Sequence, residues 1–275
     1  CNRDSDTVGG SVTAYLDSLG GEKQERRKRE AWNAAKSYWA TLRPNVVDEG
    51  VSLGYPRWRK RAANTVRQEL SLIRTALNWA VTNKHLDKAP KITLPAMPET
   101  SVGHLTKAQF RQFLEGCGSP HVELFAMLGV TTGGRKSAIL QAMWDQVDFG
   151  RGLLDLNPKG RTQNSKHRAT VPLNDLILAK LREAKQAALT DYVIEHHGAP
   201  LKDIKRGFAA ASKRSGIPCH PHMLRHSAAV WMAEDRVPMA EIASFLGHRD
   251  IGVTTQVYAR FHPHYLRQAA NSLTW

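Results

Sequence analysis

Residues 11 to 89 read as helical, with apolar side chains returning at intervals of three and four. Ala31 to Leu42 puts Trp32, Ala35 and Trp39 on one side of a helix. Val66, Leu70, Ile73 and Leu77 mark another, and Thr65 and Gln68 are spaced as a capping box at its start. The pattern breaks at Ala89 to His104, where Pro90, Pro95 and Pro98 remove donors and resist helix, so residues 90–104 read as a linker. It resumes with a second capping box, Thr106 and Gln109, ahead of Phe110, Phe113 and Leu114. A helix from about His121 is expected to end at Gly133-Gly134, and another to span Ser137 to Met143. Three strands are predicted at Gln146 to Phe149, Leu153 to Leu156 and Arg168 to Leu173, the last two flanking a polar hairpin turn, Asn157 to His167. Beyond Asp175 the chain reads as mostly helical, with breaks near Gly198-Ala199-Pro200, Gly216-Ile217-Pro218 and Val237-Pro238. The expectation is a helical domain (1–89), the linker, and a larger, mainly α domain with a small antiparallel β-sheet (105–275).

Composition changes this picture in one respect. The 275 residues, 41% hydrophobic and 23% charged, are ordinary for a globular protein of one large or two ordinary domains. The charge balance is not, with 39 Lys and Arg against 25 acidic residues and a net charge of +14. Residues 1–100 hold 17 basic and 11 acidic groups, and residues 101–275 hold 22 and 14. Both parts are basic, which favours a polyanion touching both over a single basic tail, with plainly solvated charge as the alternative. Cys1, Cys117 and Cys219 form neither a disulfide framework nor a paired zinc motif, as expected of a reducing cytosol. No apolar run is long enough to span a membrane. The start at Cys1 suggests a fragment or a processed form.

The chemistry gathers near the end of the chain. His222-Met223-Leu224-Arg225-His226, Leu246-Gly247-His248 and Thr254-Thr255-Gln256-Val257-Tyr258 follow one another, and Thr132-Gly133-Gly134-Arg135-Lys136-Ser137 stands far upstream. Two guanidinium forks suit a phosphate that gains charge in its transition state, and a tyrosine can serve as the nucleophile of a covalent intermediate. Taken singly, each residue has a plainer reading. Arg135 would be a surface or ion-paired arginine, His248 a cap on a helix C-terminus, and Tyr258 a half-buried core tyrosine. Gly129 to Ser137 does not fit a phosphate loop, because Arg135 stands where that motif needs lysine. His222 and His226 are four apart, but the pair lacks the glutamate of the zinc-protease motif and a third ligand, so no metal is expected.

Together these residues resemble the tyrosine recombinases, the phage-integrase family of site-specific DNA recombinases, and looser similarity runs from about residue 11 to the end. The resemblance implies a two-domain DNA clamp, with a helical, SAM-like core-DNA-binding domain at 1–89 and a tyrosine-recombinase (DNA breaking-rejoining) catalytic domain at 105–275. It implies a catalytic set of Arg135, Lys166, His222, Arg225, His248 and the nucleophile Tyr258, with His226 structural rather than catalytic. The lysine is open between Lys166 and Lys159, since an ungapped register would place Asn164 there. Two further departures are Ala138, where the family usually has an acidic residue, and Met223 in place of the commoner Asp.

In the implied mechanism Tyr258 attacks phosphorus to form a 3′-phosphotyrosine and release a 5′-hydroxyl. Arg135 and Arg225 neutralise the phosphate, His248 donates a hydrogen bond, His222 moves a proton at the nucleophile, and the lysine protonates the leaving oxygen. Neither ATP nor a metal cofactor is needed. The partners implied are double-stranded DNA recombination sites, a dimer on each site and a tetramer in synapsis, with possible accessory DNA-bending proteins and no membrane. Leu266, Ala269, Ala270 and Leu273 would form a tail exchanged between subunits, docking in cis being the alternative. Arg57, Arg59, Lys60, Arg61, Lys159, Arg161, Lys202, Lys205 and Arg206 are candidate DNA-binding residues, and the location implied is bacterial cytoplasm, with the nucleoid. The competing readings are a type IB topoisomerase-like relaxase and a non-catalytic DNA-binding regulator, the latter suggested by the helix-turn-helix-like stretch from Glu241 to Gly247.

Overall fold

The computed structural model describes residues 7–20, 23–96, 103–158, 160–162, 167–263, 266–271 and 273. Its contacts divide the chain into two compact units, residues 1–100 and 101–275.

In the first unit, α1 (Val8–Asp17) starts on Thr7, whose hydroxyl accepts the Gly10 N–H at 3.0 Å. It packs with α2 (Lys23–Trp39) and α4 (Ala63–Thr82), while α3 (Glu49–Arg59) lies against α4. The seam is filled by Val12, Leu16, Trp39, Tyr55, Leu70, Ile73 and Leu77, all buried. Helix α4 does not begin on the predicted Thr65–Gln68 box. Lys60 adopts a left-handed conformation (φ 47°) that ends α3, and the chain re-enters helix at once, the Val66 N–H bonding to the Ala62 carbonyl without a side-chain cap. Thr65 is thereby already inside the helix. Glu69, 3% exposed, accepts from the Tyr55 hydroxyl at 2.6 Å and from Arg59 Nε and Nη2, so one buried carboxylate ties α3 to α4.

The second unit opens with α5 (Lys107–Glu115), and here the capping box forms. Thr106 Oγ1 accepts the Gln109 N–H, and Gln109 Oε1 accepts the Thr106 N–H. Helix α6 (Pro120–Thr132) has proline in its first turn, where the missing donor does no harm, and it ends at Gly133 in the left-handed region (φ 58°). It packs on α10 (Pro221–Glu234), and the two approach closely because Gly129 has no side chain; a Cβ there would lie 2.5 Å from Leu224 Cδ1. Short α7 (Lys136–Leu140) ends before the predicted Met143, whose backbone instead bridges to Tyr192.

A three-stranded antiparallel sheet follows, with β1 (Val147–Asp148), β2 (Leu153–Asp155) and β3 (Thr170–Pro172) in that order. Leu154 pairs with Val147 and Val171, and all three face the core. The start of the predicted first strand, at Gln146, is a 3-10 turn (Trp144–Gln146). Helix α8 (Asp175–Gln186) is capped by Asn174. The expected break near Gly198 proves to be a second small sheet, β4 (Glu195–His196) with β5 (Ala199–Pro200). His197 and Gly198 both have positive φ, the geometry of a two-residue hairpin turn. Helices α9 (Lys205–Ser215), α11 (Met239–Leu246), α12 (Ile251–Tyr258) and α13 (Arg267–Asn271) complete the unit. Ala229, Val230, Ala233, Ile242 and Leu246 form a satellite core that Tyr258 closes. Among the described residues no helix is long and apolar enough to cross a membrane.

Candidate active site

Arg225 is the centre around which the second unit arranges its polar groups. It lies on α10 and is 3% exposed, a position where a guanidinium survives only if its donors are satisfied. Two helix ends supply the acceptors. Nη1 donates to the Gly133 carbonyl at the end of α6 (2.7 Å), and Nη2 donates to the Leu246 carbonyl at the end of α11 (2.8 Å). Both helices stop on left-handed glycines, Gly133 and Gly247, and their negative dipole ends converge on the cation. The Gly-Gly-Arg and Leu-Gly-His words of the sequence are therefore structural parts of one cationic site. A Cβ on Gly133 would come within 2.6 Å of Leu246 Cδ2.

The third acceptor is His248. Its Nε2 lies 2.7 Å from Arg225 Nη2, and its Nδ1 lies 2.7 Å from the hydroxyl of Thr254, which is fully buried. Arginine can only donate, so Nε2 must carry the lone pair and Nδ1 the proton. Burial first, then the charges of Arg225, Arg135 and His222, push the His248 imidazole down to about 4, which keeps it neutral. In this arrangement His248 braces Arg225. The hydrogen bond to phosphate expected from His248 has no donor to make it, because its one N–H is spent on Thr254.

Arg135 is the residue before α7, and its Nη1 donates to the His167 carbonyl at 2.7 Å. Arg135 and Arg225 line one small cleft with Arg168, Ala138 and Leu156. Neither has an acidic partner among the described residues. Arg135 is held below its usual range by burial and by Arg161, and Arg225 is pushed down to about 9 by burial and then by Arg135. Arg168 is lowered by burial, Arg161 and Arg135, and it donates to Gln141 Oε1 at 2.7 Å. Four guanidiniums thus share one electrostatic neighbourhood, an arrangement that favours binding an anion.

Tyr258, the last residue of α12, is 3% exposed, and its Oη lies 2.6 Å from His226 Nδ1. Burial raises the phenol above its ordinary range, and the charge of Arg225 opposes that rise. The imidazole on the phenol is therefore that of His226, which the family pattern had left structural. His222 is exposed and stands one turn earlier, its ring 4.5 Å from that of His226. Loss of water and the neighbouring Arg225, His220 and Arg135 lower its pKa.

Lys159 and Lys166 lie outside the described residues, so the lysine of the set has no described position. Arg161 donates to Asn157 Oδ1 at 2.7 Å. Lys202, Lys205 and Arg206 are exposed at the start of α9, where Asp203 sits 3.7 Å from Lys205 and 3.0 Å from Lys136. In the first unit Arg57, Lys60 and Arg61 are exposed, whereas the guanidinium of Arg59 is turned onto Glu69. In the tail, Leu266 and Leu273 are exposed. Sequence reasoning did not single out Thr254 or Arg168, and it named His226 as structural. Thr254 and Tyr258 lie four apart on one helix, which is the signal by which Thr254 was accessible.

Residues 104–264 match the model of the phage integrase family. The chain is 21% identical over 262 residues to a tyrosine recombinase XerC-like protein of Caldanaerobacter subterraneus subsp. tengcongensis, covering 78% of this chain and 66% of that one. It is 26% identical over 228 residues to the integrase of Salmonella phage P22, covering 77% and 58%. The chain thus spans about three fifths to two thirds of these curated relatives. The fold matches the Tn1549 transposon integrase in complex with circular intermediate DNA (TM-score 0.79, 15% identity, 98% of this chain and 99% of that one). It also matches a lambda integrase dimer bound to a COC′ core site (TM-score 0.75, 16% identity, 92% and 78%). With the family model covering more than half of the chain, including the paired guanidiniums and the buried phenol, this protein belongs to the phage integrase family.

Proposed function

We propose that this protein is a site-specific DNA recombinase that breaks and rejoins strands through a 3′-phosphotyrosine on Tyr258. The observation that carries this reading is the pairing of Arg225 with Tyr258. A buried guanidinium without an acidic partner among the described residues lies within the electrostatic reach of a buried phenol, beside Arg135 and Arg168 in one cleft. A phosphodiester is an anion whose charge complements these guanidiniums. Arg135 and Arg225 bind its non-bridging oxygens and stabilise the charge that develops as phosphorus becomes five-coordinate. His248 holds Arg225 in register through Nε2, and Thr254 holds His248. Attack by Oη displaces the 5′-oxygen, which takes its proton from Lys166 or Lys159. The phosphotyrosyl bond conserves the energy of the broken linkage, so rejoining to a 5′-hydroxyl of another duplex needs neither ATP nor a metal ion.

In this reading Arg57, Lys60 and Arg61 of the first unit bind phosphates, and Arg161, Lys202, Lys205 and Arg206 act likewise from the second unit. Integrases of this fold have been seen as a dimer bound to a core site and as a tetramer bound to a Holliday junction. The same assembly is proposed here, with the tail passing between subunits.

The test is covalent trapping. A randomised pool of nicked duplexes is incubated with the protein, resolved on a denaturing gel, and sequenced from the shifted band. A protein–DNA adduct that enriches one sequence, survives chelator and vanishes in Tyr258→Phe supports the reading. Binding without any adduct favours the non-catalytic regulator, and adducts without sequence enrichment favour the relaxase.

A further inference from the structure

We propose that His226 is the general base that removes the phenolic proton of Tyr258, its Nδ1 lying 2.6 Å from Oη in the buried seam between α10 and α12. This rests on the strand-transfer reading above and goes beyond it, because that reading requires only that the phenol lose its proton somewhere.

Three features of the site support the assignment. First, Tyr258 is almost fully buried, so bulk water does not reach Oη to take the proton, and among the described residues His226 is the group hydrogen-bonded to it. Second, the ring is in the form a base requires. Burial, then His222, Arg225, His220 and His104, push its pKa down to about 4, so at neutral pH one ring nitrogen is bare. The phenol retains its proton because burial raises its pKa. With the lone pair on Nδ1, the tautomer this step requires, the phenol O–H donates to it across the 2.6 Å contact and the lone pairs of Oη are free for phosphorus. Third, the base is adjacent in sequence to Arg225, the residue that reads the phosphate. Arg225, whose charge helps to hold His226 down, is a group that a bound phosphodiester would neutralise. The ring therefore gains basicity when DNA is seated, and the nucleophile is activated only then.

In the step itself, the Oη–H bond breaks and its proton passes to Nδ1, giving an imidazolium. The freed electron pair forms the Oη–P bond. The P–O5′ bond breaks, and the leaving oxygen is protonated by the lysine assigned above. On rejoining, the incoming 5′-hydroxyl gives its proton to the now neutral lysine as O5′ attacks phosphorus, the P–Oη bond breaks, and Nδ1–H returns its proton to Oη.

The test compares wild-type protein, His226→Asn and His226→Gln with the duplex recovered from the randomised pool, in single-turnover adduct formation as a function of pH. Asparagine offers an amide near the position of Nδ1 but does not titrate. The expected result is a loss of about 10²- to 10⁴-fold in cleavage at neutral pH with DNA affinity retained. The log rate of the variants should climb with pH where the wild type levels off. A 5′-bridging phosphorothiolate duplex, whose leaving group needs no proton, should not restore the rate, since the defect is at the nucleophile. Wild-type rates in both variants, an unchanged pH profile under a uniform loss, or rescue by the thiolate leaving group would overturn the assignment. If His226→Asn fails to fold, His226→Gln decides the question, and if both unfold, His226 is a structural residue and the proposal fails. Absence of an adduct in the wild type sinks the strand-transfer reading instead, a result distinguishable from failure of the variants alone.

Discussion

Thr254→Val tests the brace behind Arg225 without touching any group that meets DNA. The replacement has nearly the same shape, but the fully buried Oγ1 that accepts the Nδ1–H of His248 at 2.7 Å is gone. His248 then has two choices. It can keep its tautomer and leave a buried N–H without an acceptor, at about 1–3 kcal/mol. Alternatively it can move the proton to Nε2, which turns that hydrogen toward Arg225 Nη2 and breaks the 2.7 Å contact. On the second path the guanidinium loses its third anchor, and on the first it keeps that contact to an imidazole that carries a buried, unpaired N–H. For a unit of this size, 1–3 kcal/mol corresponds to a drop in melting temperature of about 2–4 °C per kcal/mol. The assay is thermal unfolding followed with adduct formation on the nicked duplex. Thr254→Val should melt several degrees lower and cleave roughly ten- to a hundred-fold more slowly, as expected of about 1.4–2.8 kcal/mol of lost transition-state stabilisation. Thr254→Ser, which retains the hydroxyl, should recover most of both. A Thr254→Val protein with wild-type stability and cleavage would refute the reasoning, because the tautomer of His248 would then not depend on Thr254.

Four other outcomes are expected. The imidazoles of His226 and His248 are both held near 4 in the folded chain against an ordinary 6.5. The unfolded chain therefore binds more protons between those values, so stability is fully present above about pH 6.5 and is lost as pH falls toward 4; denaturant midpoints across that range should show it, and His248→Gln should flatten the slope. Gly133→Ala should destabilise by about 2–4 kcal/mol, combining a left-handed backbone with a Cβ 2.6 Å from Leu246 Cδ2, and urea titration measures it. Glu69→Ala should cost about 3–5 kcal/mol by leaving Arg59 and the Tyr55 hydroxyl without their buried acceptor, measured by chemical denaturation. Replacing Arg57, Lys60 or Arg61 with alanine should each lower the slope of log affinity against log salt by about one, while Arg59→Ala should act on stability first, and filter binding over a salt series separates the two.

The sequence by itself carried the class of the fold and the kind of chemistry. Helical periodicity, the Thr106–Gln109 box and the turn-forming Gly and Pro residues are local signals, and they state where α5, α6 and the two hairpin strands run. The words around Arg135, Arg225, His248 and Tyr258 likewise carried family membership, because chemistry that needs fixed spacings on fixed helices leaves them in the chain. Local signals failed where neighbours decide. Thr65 looked like a cap, yet the left-handed turn at Lys60 started α4 earlier; the break at Gly198 looked like a loop, yet two positive φ angles closed a hairpin. Only the tertiary structure placed His226 on Oη, turned the lone pair of His248 toward Arg225, and drew Arg59 onto Glu69. Those outcomes depend on which helix ends converge in space and which donors lose their water when they do. A hydrogen bond between α10 and α12 joins residues far apart in the chain, and no spacing along the chain encodes it.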